Sequence, residues 1–388
     1  MNSLGNRSAK GSGKSKLRLG LAWVLIVICL LMATSAGMLS GCTTFGGKVT
    51  GERLQRAQAT GNFRDGRFFN TIPQTPAKSA LYWDYLVEQF SGDQVRLPPG
   101  PVPVVALRPS DINGPVPPGL RFAWLGHASV YLEIDGARLL VDPVFSEYAA
   151  PFAGLGPKRF HPPPIALADL PPIDAVMISH DHYDHLDMPT IQHLAKEGAR
   201  FFVPLGVGAH LERWGVGESQ IVELEWGQAG TVGAVQIICT PSRHYSGRQI
   251  FDQKATFWSS WAMVGPQNRV YYSGDTGFSD HFEKTGRRLG PFDLSIIKVG
   301  SYGPGASWFD IHMFPEDAVR AHQALRADKM LPVHWATFNM AFHAWDEPII
   351  RTLAAAGKRG VSVLTPRIGQ MIDPHQTFEP DAWWESVK

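Results

Sequence analysis

The chain is poor in cysteine: its 388 residues hold three, Cys29, Cys42 and Cys239. Cys29 lies in an apolar N-terminal run and Cys42 follows it, so the body beyond has one thiol and no disulfide of its own. Stability must come from packing, and a composition that is 44% hydrophobic and 18% charged provides for a large core. An excess of charge is missing too. The net charge is +1, and setting aside the five cations of residues 1–41 leaves 31 basic against 35 acidic residues. A mildly acidic body has no electrostatic footprint for nucleic acid, so none is expected as a partner. No repeat with a period of about 20–50 residues is present, which argues against solenoids and propellers. No G-x-S-x-G occurs, which removes the strained serine turn of one large hydrolase class.

The N-terminus carries Arg7, Lys10, Lys14, Lys16 and Arg18 and no acid, then the uncharged run Leu19–Met32 and small residues up to Gly41. A basic start, an apolar stretch and a small-residue boundary make a secretory signal over residues 1–41. Leu39–Cys42, LSGC, resembles the lipobox of bacterial lipoproteins. That resemblance implies cleavage before Cys42 and lipidation of Cys42, and several acyl chains hold a protein stably to a membrane. Thr43, not Asp, follows, which for a Gram-negative lipoprotein implies the outer membrane, facing the periplasm. The alternative is an uncleaved inner-membrane anchor, since residues 19–41 are uncharged and long enough to span.

Residues 42–119 are expected to be a tether and an arm. Residues 43–65 read as polar tether, 79–90 as a short amphipathic helix, and Leu97–Gly119, with eight prolines, as an extended wrapping arm. The compact domain is expected at 120–388. There RFAWLG and SVYLEI precede an Asp135–Gly136 turn and ARLLV, a hairpin pattern. IDAVMIS (173–179) is a nearly continuous apolar run, as in a strand covered on both faces. Helices are expected over Met188–Glu197, capped by Asp187, over Pro315–Ala327, and over Glu347–Ala356, stopped by Gly357. Many strands with helices interspersed make a layered α/β domain.

After the run 173–179 comes HDHYDH. His180, His182, Asp184 and His185 have side chains that bind zinc and its neighbours. Chance would produce H-x-H-x-[DE]-H in roughly one or two of a thousand chains of this composition. Crowded imidazoles gain nothing without a metal or proton to share. His244, Asp275 (in GDTG) and His334 each follow a strand-like run, the same placement as the histidine motif. A bare loop His or turn Asp is the bland alternative for each alone.

Together, HxHxDH, a later His, GDTG and a last His resemble the metallo-β-lactamase superfamily. The resemblance implies an αββα sandwich with two metal ions, zinc first, with manganese or iron as alternatives. His180, His182 and His244 would hold one ion, Asp184, His185 and His334 the other, and Asp275 both. Asp142 (in LLVDP) would brace the histidine loop without touching an ion. Residues 119–146, GPKRF (156–160), LPPIDAVMISHDHYDHLD, GDTGF and VHWATF further resemble the branch containing N-acyl-phosphatidylethanolamine-hydrolysing phospholipase D. That branch implies a membrane phospholipid substrate, Asp184 orienting the attacking water, and His312 as the second catalytic residue facing the phosphate. Trp308, Phe309, Pro315, Glu316 and Ala318 fit the surrounding pattern. Asp181 stands where the animal enzyme has Asn, and alternation in HxH turns it, like Tyr183, away from the ions. The H-x-K-x₄-D pattern of ordinary phospholipases D is absent, which argues against a phosphohistidine route. Rival readings are a lactone, ester or amide hydrolase of the same fold and a non-catalytic metal-binding envelope lipoprotein.

Overall fold

Phe122 and Trp124 face one side of their strand, Ala123 and Leu125 the other, and all four are buried. Apolar residues on both sides require a sheet covered on both faces. The computed structural model describes residues 43–75, 92–303 and 308–387. The signal segment, Cys42 and the expected 79–90 helix lie outside these. Gly46–Lys388 form one compact unit. Met1–Phe45 form another, of which one 3-10 turn, Thr43–Phe45, is described.

A short hairpin, β1 (Phe63–Arg64) and β2 (Arg67–Phe68), precedes two seven-stranded sheets. The first runs in the order β16 (Met371–Ile372), β3 (Leu120–Gly126), β4 (Ser129–Ile134), β5 (Ala137–Val141), β6 (Ala175–Met177), β7 (Arg200–Pro204), β8 (Ile221–Leu224). The second runs β15 (Ser362–Val363), β14 (Ala327–Val333), β13 (Phe292–Lys298), β12 (Arg269–Tyr272), β11 (Ser260–Val264), β10 (Val235–Thr240), β9 (Ala229–Val232). Both are mixed: β3–β5 and β9–β12 pair antiparallel, β5–β8 and β12–β15 parallel. Asp135 and Gly136 both have positive φ (46° and 88°), which gives the tight turn joining β4 to β5.

Phe122, Trp124, Leu139 and Met177 of the first sheet share one core with Ile237, Trp261, Tyr272 and Ile296 of the second. α1 (Gly51–Gln58) and α2 (Pro109–Ile112) lie before the sheets in sequence. α3 (Met188–Lys196) and α4 (Gly208–Arg213) cover the outer face of the first sheet through Ile191, Leu194 and Leu211. α5 (His281–Leu289), α6 (Pro315–Leu325) and α7 (Glu347–Arg359) add Phe282, Val319 and Ile349 beside the second. The layers are helix, sheet, sheet, helix, the αββα arrangement.

Three expectations are corrected. Residues 46–65 are not a loose tether: α1 and the hairpin belong to the compact unit. Arg53 and Arg56 of α1 both pair with Glu223, whose side chain is 1% exposed, and Phe68 stacks on Phe257. Asp187 sits at the start of α3 but does not cap it. Its carboxylate accepts instead from Ser146 N at 3.1 Å and Ser146 Oγ at 2.7 Å, tying the α3 start to the loop after β5. Gly357 lies inside α7, which continues to Arg359 and ends at Gly360 with φ 64°. The proline-rich arm runs along the body, with Leu107 and Ile112 buried against the outer face of the first sheet.

Candidate metal centre

The polar residues gather where strands end. Asp142 follows β5, the His180–His185 loop follows β6, His244 follows β10, Asp275 follows β12 and His334 follows β14. His127 occupies the turn between β3 and β4. Three of these residues hold left-handed backbone: Asp142 (φ 39°), His127 (φ 50°) and His334 (φ 69°). Non-glycine residues persist there only when their surroundings over-determine them. Gly274 makes the approach of Asp275 feasible, since a Cβ on it would lie 2.6 Å from Ser179 Cβ and 2.8 Å from Ser259 O.

His180, His182 and His244 form one group. His180 Nε2 lies 2.8 Å and His244 Nε2 3.4 Å from His182 Nδ1. A tetrahedral ion bound at ~2.0–2.1 Å would set nitrogen ligands about 3.3 Å apart, so the spacing suits one ion. The other nitrogens of two rings are taken: His180 Nδ1 by Ser179 Oγ at 2.9 Å and His244 Nδ1 by the Ile311 carbonyl at 3.1 Å. Such partners fix which nitrogen is left for a metal.

The second group is richer in carboxylate. Asp184 Oδ2 lies 3.2 Å from His185 Nε2 and 3.3 Å from His334 Nε2. Asp275 reaches both groups: Oδ1 is 3.2 Å from His334 Nε2, and Oδ2 is 3.6 Å from His185 Nε2 and 3.9 Å from His244 Nε2. Asp275 Oδ1 and His334 Nδ1 have no hydrogen-bond partner although buried. Of the two, Asp275 Oδ1 lies where the ligand-type side chains meet, and an orphaned acceptor there is what a bound cation would satisfy. Asp142 accepts from Ser179 N, Ser179 Oγ, Tyr272 OH and, at 2.7 Å, His185 Nδ1. Four donors occupy it, which suits a brace for the histidine loop better than a ligand.

The electrostatics agree with metal binding. Burial holds His180 and His244 well below the usual histidine range and lowers His182, so this group offers neutral imidazoles. Burial alone would raise Asp184 and Asp275; His185 for the first and His334 for the second lead the charges that hold them far below the carboxylate range. Burial opposes charge on His185 as well, but Asp184, Asp275 and Asp142 outweigh it and pull the position toward positive charge. The residues fit two divalent ions.

A model of the beta-lactamase superfamily domain matches residues 137–335. An uncharacterised protein of Mycobacterium tuberculosis is 44% identical over 333 residues, covering 83% of this chain and 87% of its own. The chain belongs to the metallo-β-lactamase superfamily. It is accordingly a metal-dependent hydrolase. An N-acyl-phosphatidylethanolamine-hydrolysing phospholipase D of Caenorhabditis elegans is 38% identical over 234 residues, 57% of this chain and 65% of the worm protein. Among solved structures, an isothiocyanate hydrolase from Delia radicum gut bacteria aligns with a TM-score of 0.52 at 20% identity, over 65% of this chain and 98% of its own. That likeness concerns the fold alone.

The candidate ligands open onto a cleft of ≈ 330 Å³ lined by His182, Asp184, Asp275, His312 and His334, with Tyr183, Tyr245, Trp308, Ile311 and Met340 as apolar walls. Tyr183 is therefore not turned away: its ring lines the cleft while its hydroxyl donates to Arg248 O at 2.9 Å. Asp181 does face away, accepting from Gly247 N at 2.6 Å and Thr256 Oγ1 at 2.7 Å. His312 stands in the cleft wall, its Nδ1 3.5 Å from Asp275 Oδ2.

Sequence reasoning passed over two residues. His127 Nε2 lies 2.9 Å from Asp184 Oδ2, and its carbonyl accepts from His334 N at 2.8 Å, so it positions a ligand from each side. Burial depresses its pKa to about 3. Its signal was a histidine in the tight connection LGHAS between two strands. Lys298 ends β13, is 1% exposed and hydrogen-bonds His312 Nδ1. Its signal was a lysine inside the apolar run LSIIKVG, where lysine is almost never buried without cause.

Proposed function

We propose that the chain is a phosphodiesterase of phospholipase D type, hydrolysing N-acyl-phosphatidylethanolamine or a related membrane lipid with two zinc ions. The observation that carries this reading is Asp275, a carboxylate shared between the two ligand groups, facing His312 across one cleft. The worm relative, named for that activity, supports it. So do the apolar walls beside the polar floor, which suit a lipid whose scissile phosphate lies at the ligands.

Bound ions would polarise a phosphoryl oxygen and lower the pKa of a water toward ~7. The chain's own residues supply orientation. Asp184, fixed by His127, faces the cleft and is placed to orient the attacking water. His312 faces the same space and is placed to stabilise the equatorial oxygens. Tyr245, Trp308 and Met340 would give the lipid beside the reacting group an apolar wall. The products would be a phosphatidic acid and an N-acylethanolamine.

Product analysis after incubation with a bacterial lipid extract, with and without chelator, tests this. Chelator-sensitive release of N-acylethanolamine and phosphatidic acid is expected. Turnover of lactone, ester or β-lactam panels with no lipid cleavage would favour the rival hydrolase. Elemental analysis should find about two metals per chain. We further read the protein as a lipoprotein anchored through Cys42 at the outer membrane. Cys42→Ser should leave soluble activity intact and move the protein out of the membrane fraction; unchanged acylation would refute the anchor.

A further inference from the structure

Lys298 has no task in the mechanism above. It carries an ammonium to the floor of an otherwise apolar strand end, and two contacts hold it there. Its backbone N–H donates to Ser273 Oγ at 3.0 Å, and its Nζ bonds His312 Nδ1. The main chain that carries the ring is held as well, since the His312 backbone N–H donates to Trp308 O at 2.7 Å. Burial lowers Lys298 to about 8, while Asp275 and Asp184 favour its charge.

An ammonium has three donors and no acceptor. His312 Nδ1 must therefore be the accepting nitrogen, and the ring hydrogen sits on Nε2. A second neighbour pulls the other way: Asp275 Oδ2, 3.5 Å from the same Nδ1, would accept a hydrogen placed there. That alternative tautomer would present a bare Nε2 lone pair to the cleft. Toward an anionic phosphoryl oxygen, a lone pair repels where an N–H attracts.

We propose that Lys298 is a positioning residue: it locks His312 in the Nε2–H tautomer, so that the imidazole faces the cleft as a fixed donor to a substrate oxygen and not as a base. The tautomer follows from the geometry; its use on a phosphoryl oxygen rests on the phosphodiesterase reading. Lys298 itself stays behind the ring and touches no substrate.

The test is a two-bond ¹H–¹⁵N spectrum of the zinc-loaded full chain labelled at histidine, with His312 assigned by its loss in His312→Gln. The native protein should show the Nε2–H pattern for His312. Lys298→Met should move it to Nδ1–H or a mixture, and Lys298→Arg, which keeps a donor, should restore Nε2–H. An Nδ1–H pattern in the native protein would overturn the proposal without any variant, as would an unshifted His312 in a Lys298→Met form that still binds two metals. In turnover of bis(p-nitrophenyl) phosphate, Lys298→Met should lose about 10- to 100-fold, mostly in kcat, less than the 10²–10³ of deleting a donor outright. Added to His312→Gln it should cost little more; a fully additive loss would sink the idea. If no phosphodiester is cleaved at all, the functional reading fails, and the spectrum still decides the tautomer.

Discussion

Half of the fourteen histidines stand in the candidate metal centre and half in the scaffold around it. Burial does not tell them apart, since His161 and His210 are as enclosed as the ligands. The second nitrogen does. His161 spends both on the scaffold, Nδ1 at Pro162 O and Nε2 at Thr337 Oγ1. His210 does the same with Gly47 N and Asp181, and His343 with Ala344 O and Ser301 N. His180, His185 and His244 spend one nitrogen on a fixed partner and aim the other at neighbouring ligands. In these three the scaffold uses one nitrogen and leaves the other among candidate ligands; His281, with Nδ1 on Ser279 and Nε2 unpartnered, is half used too but stands apart from them.

The sharpest way to break this contrast is to remove the residue that both ligand groups share. Asp275→Ala should drop metal content below one ion per chain and lower hydrolysis by about 10³-fold or more, the several kcal/mol that metal charge stabilisation supplies. Elemental analysis alongside kinetics reads both. Retention of two ions would mean that Asp275 is not a ligand the two groups share.

A smaller effect is expected one bond further out. Asp142→Asn leaves every ligand in place but weakens the hold on His185 Nδ1. Loss of such a partner costs roughly 10–100-fold in metal affinity. Competition with a fluorescent chelator should show the larger loss for the ion beside His185, because Asp142 bonds His185 directly and reaches His180 only through Ser179 Oγ.

The sequence made the ligands legible because a local motif and three strand ends carried them, and strand ends are readable from apolar runs. The layered α/β character was legible for the same reason, since β3 to β7 and β10 to β14 carry apolar runs; the αββα order came with the family resemblance. What stayed hidden depends on contacts between distant segments. β9 and β16, four and two residues long, exist only because β10 and β3 pair with them. The helix α1 has no apolar stripe to announce it; Glu223, some 170 residues later, receives its arginines. Asp187 looked like a cap because caps are local, but Ser146 offered it better donors. His127 was a lone histidine until the fold brought Asp184 within 2.9 Å.

The scaffold histidines give the smallest expected effect and the cleanest control. Burial, with Arg159 nearby, lowers His161 to about 4 in the folded chain, against ~6.5 when unfolded. Above pH 6.5 neither state is protonated and His161 does not influence stability. Between pH 6.5 and 4 the unfolded chain takes a proton that the folded chain refuses. Stability must therefore fall as pH falls, by at most about 1.4 kcal/mol per pH unit for one such group. His161→Gln removes the titration and keeps an amide able to bond Pro162 O and Thr337 Oγ1. Urea denaturation of the variant should show a loss from pH 7 to pH 5 that is smaller by about 1–2 kcal/mol than in the native protein. Its metal content should stay at two. A metal deficit in His161→Gln would show that a histidine with both nitrogens occupied still serves the centre, and the contrast between the two sets would collapse.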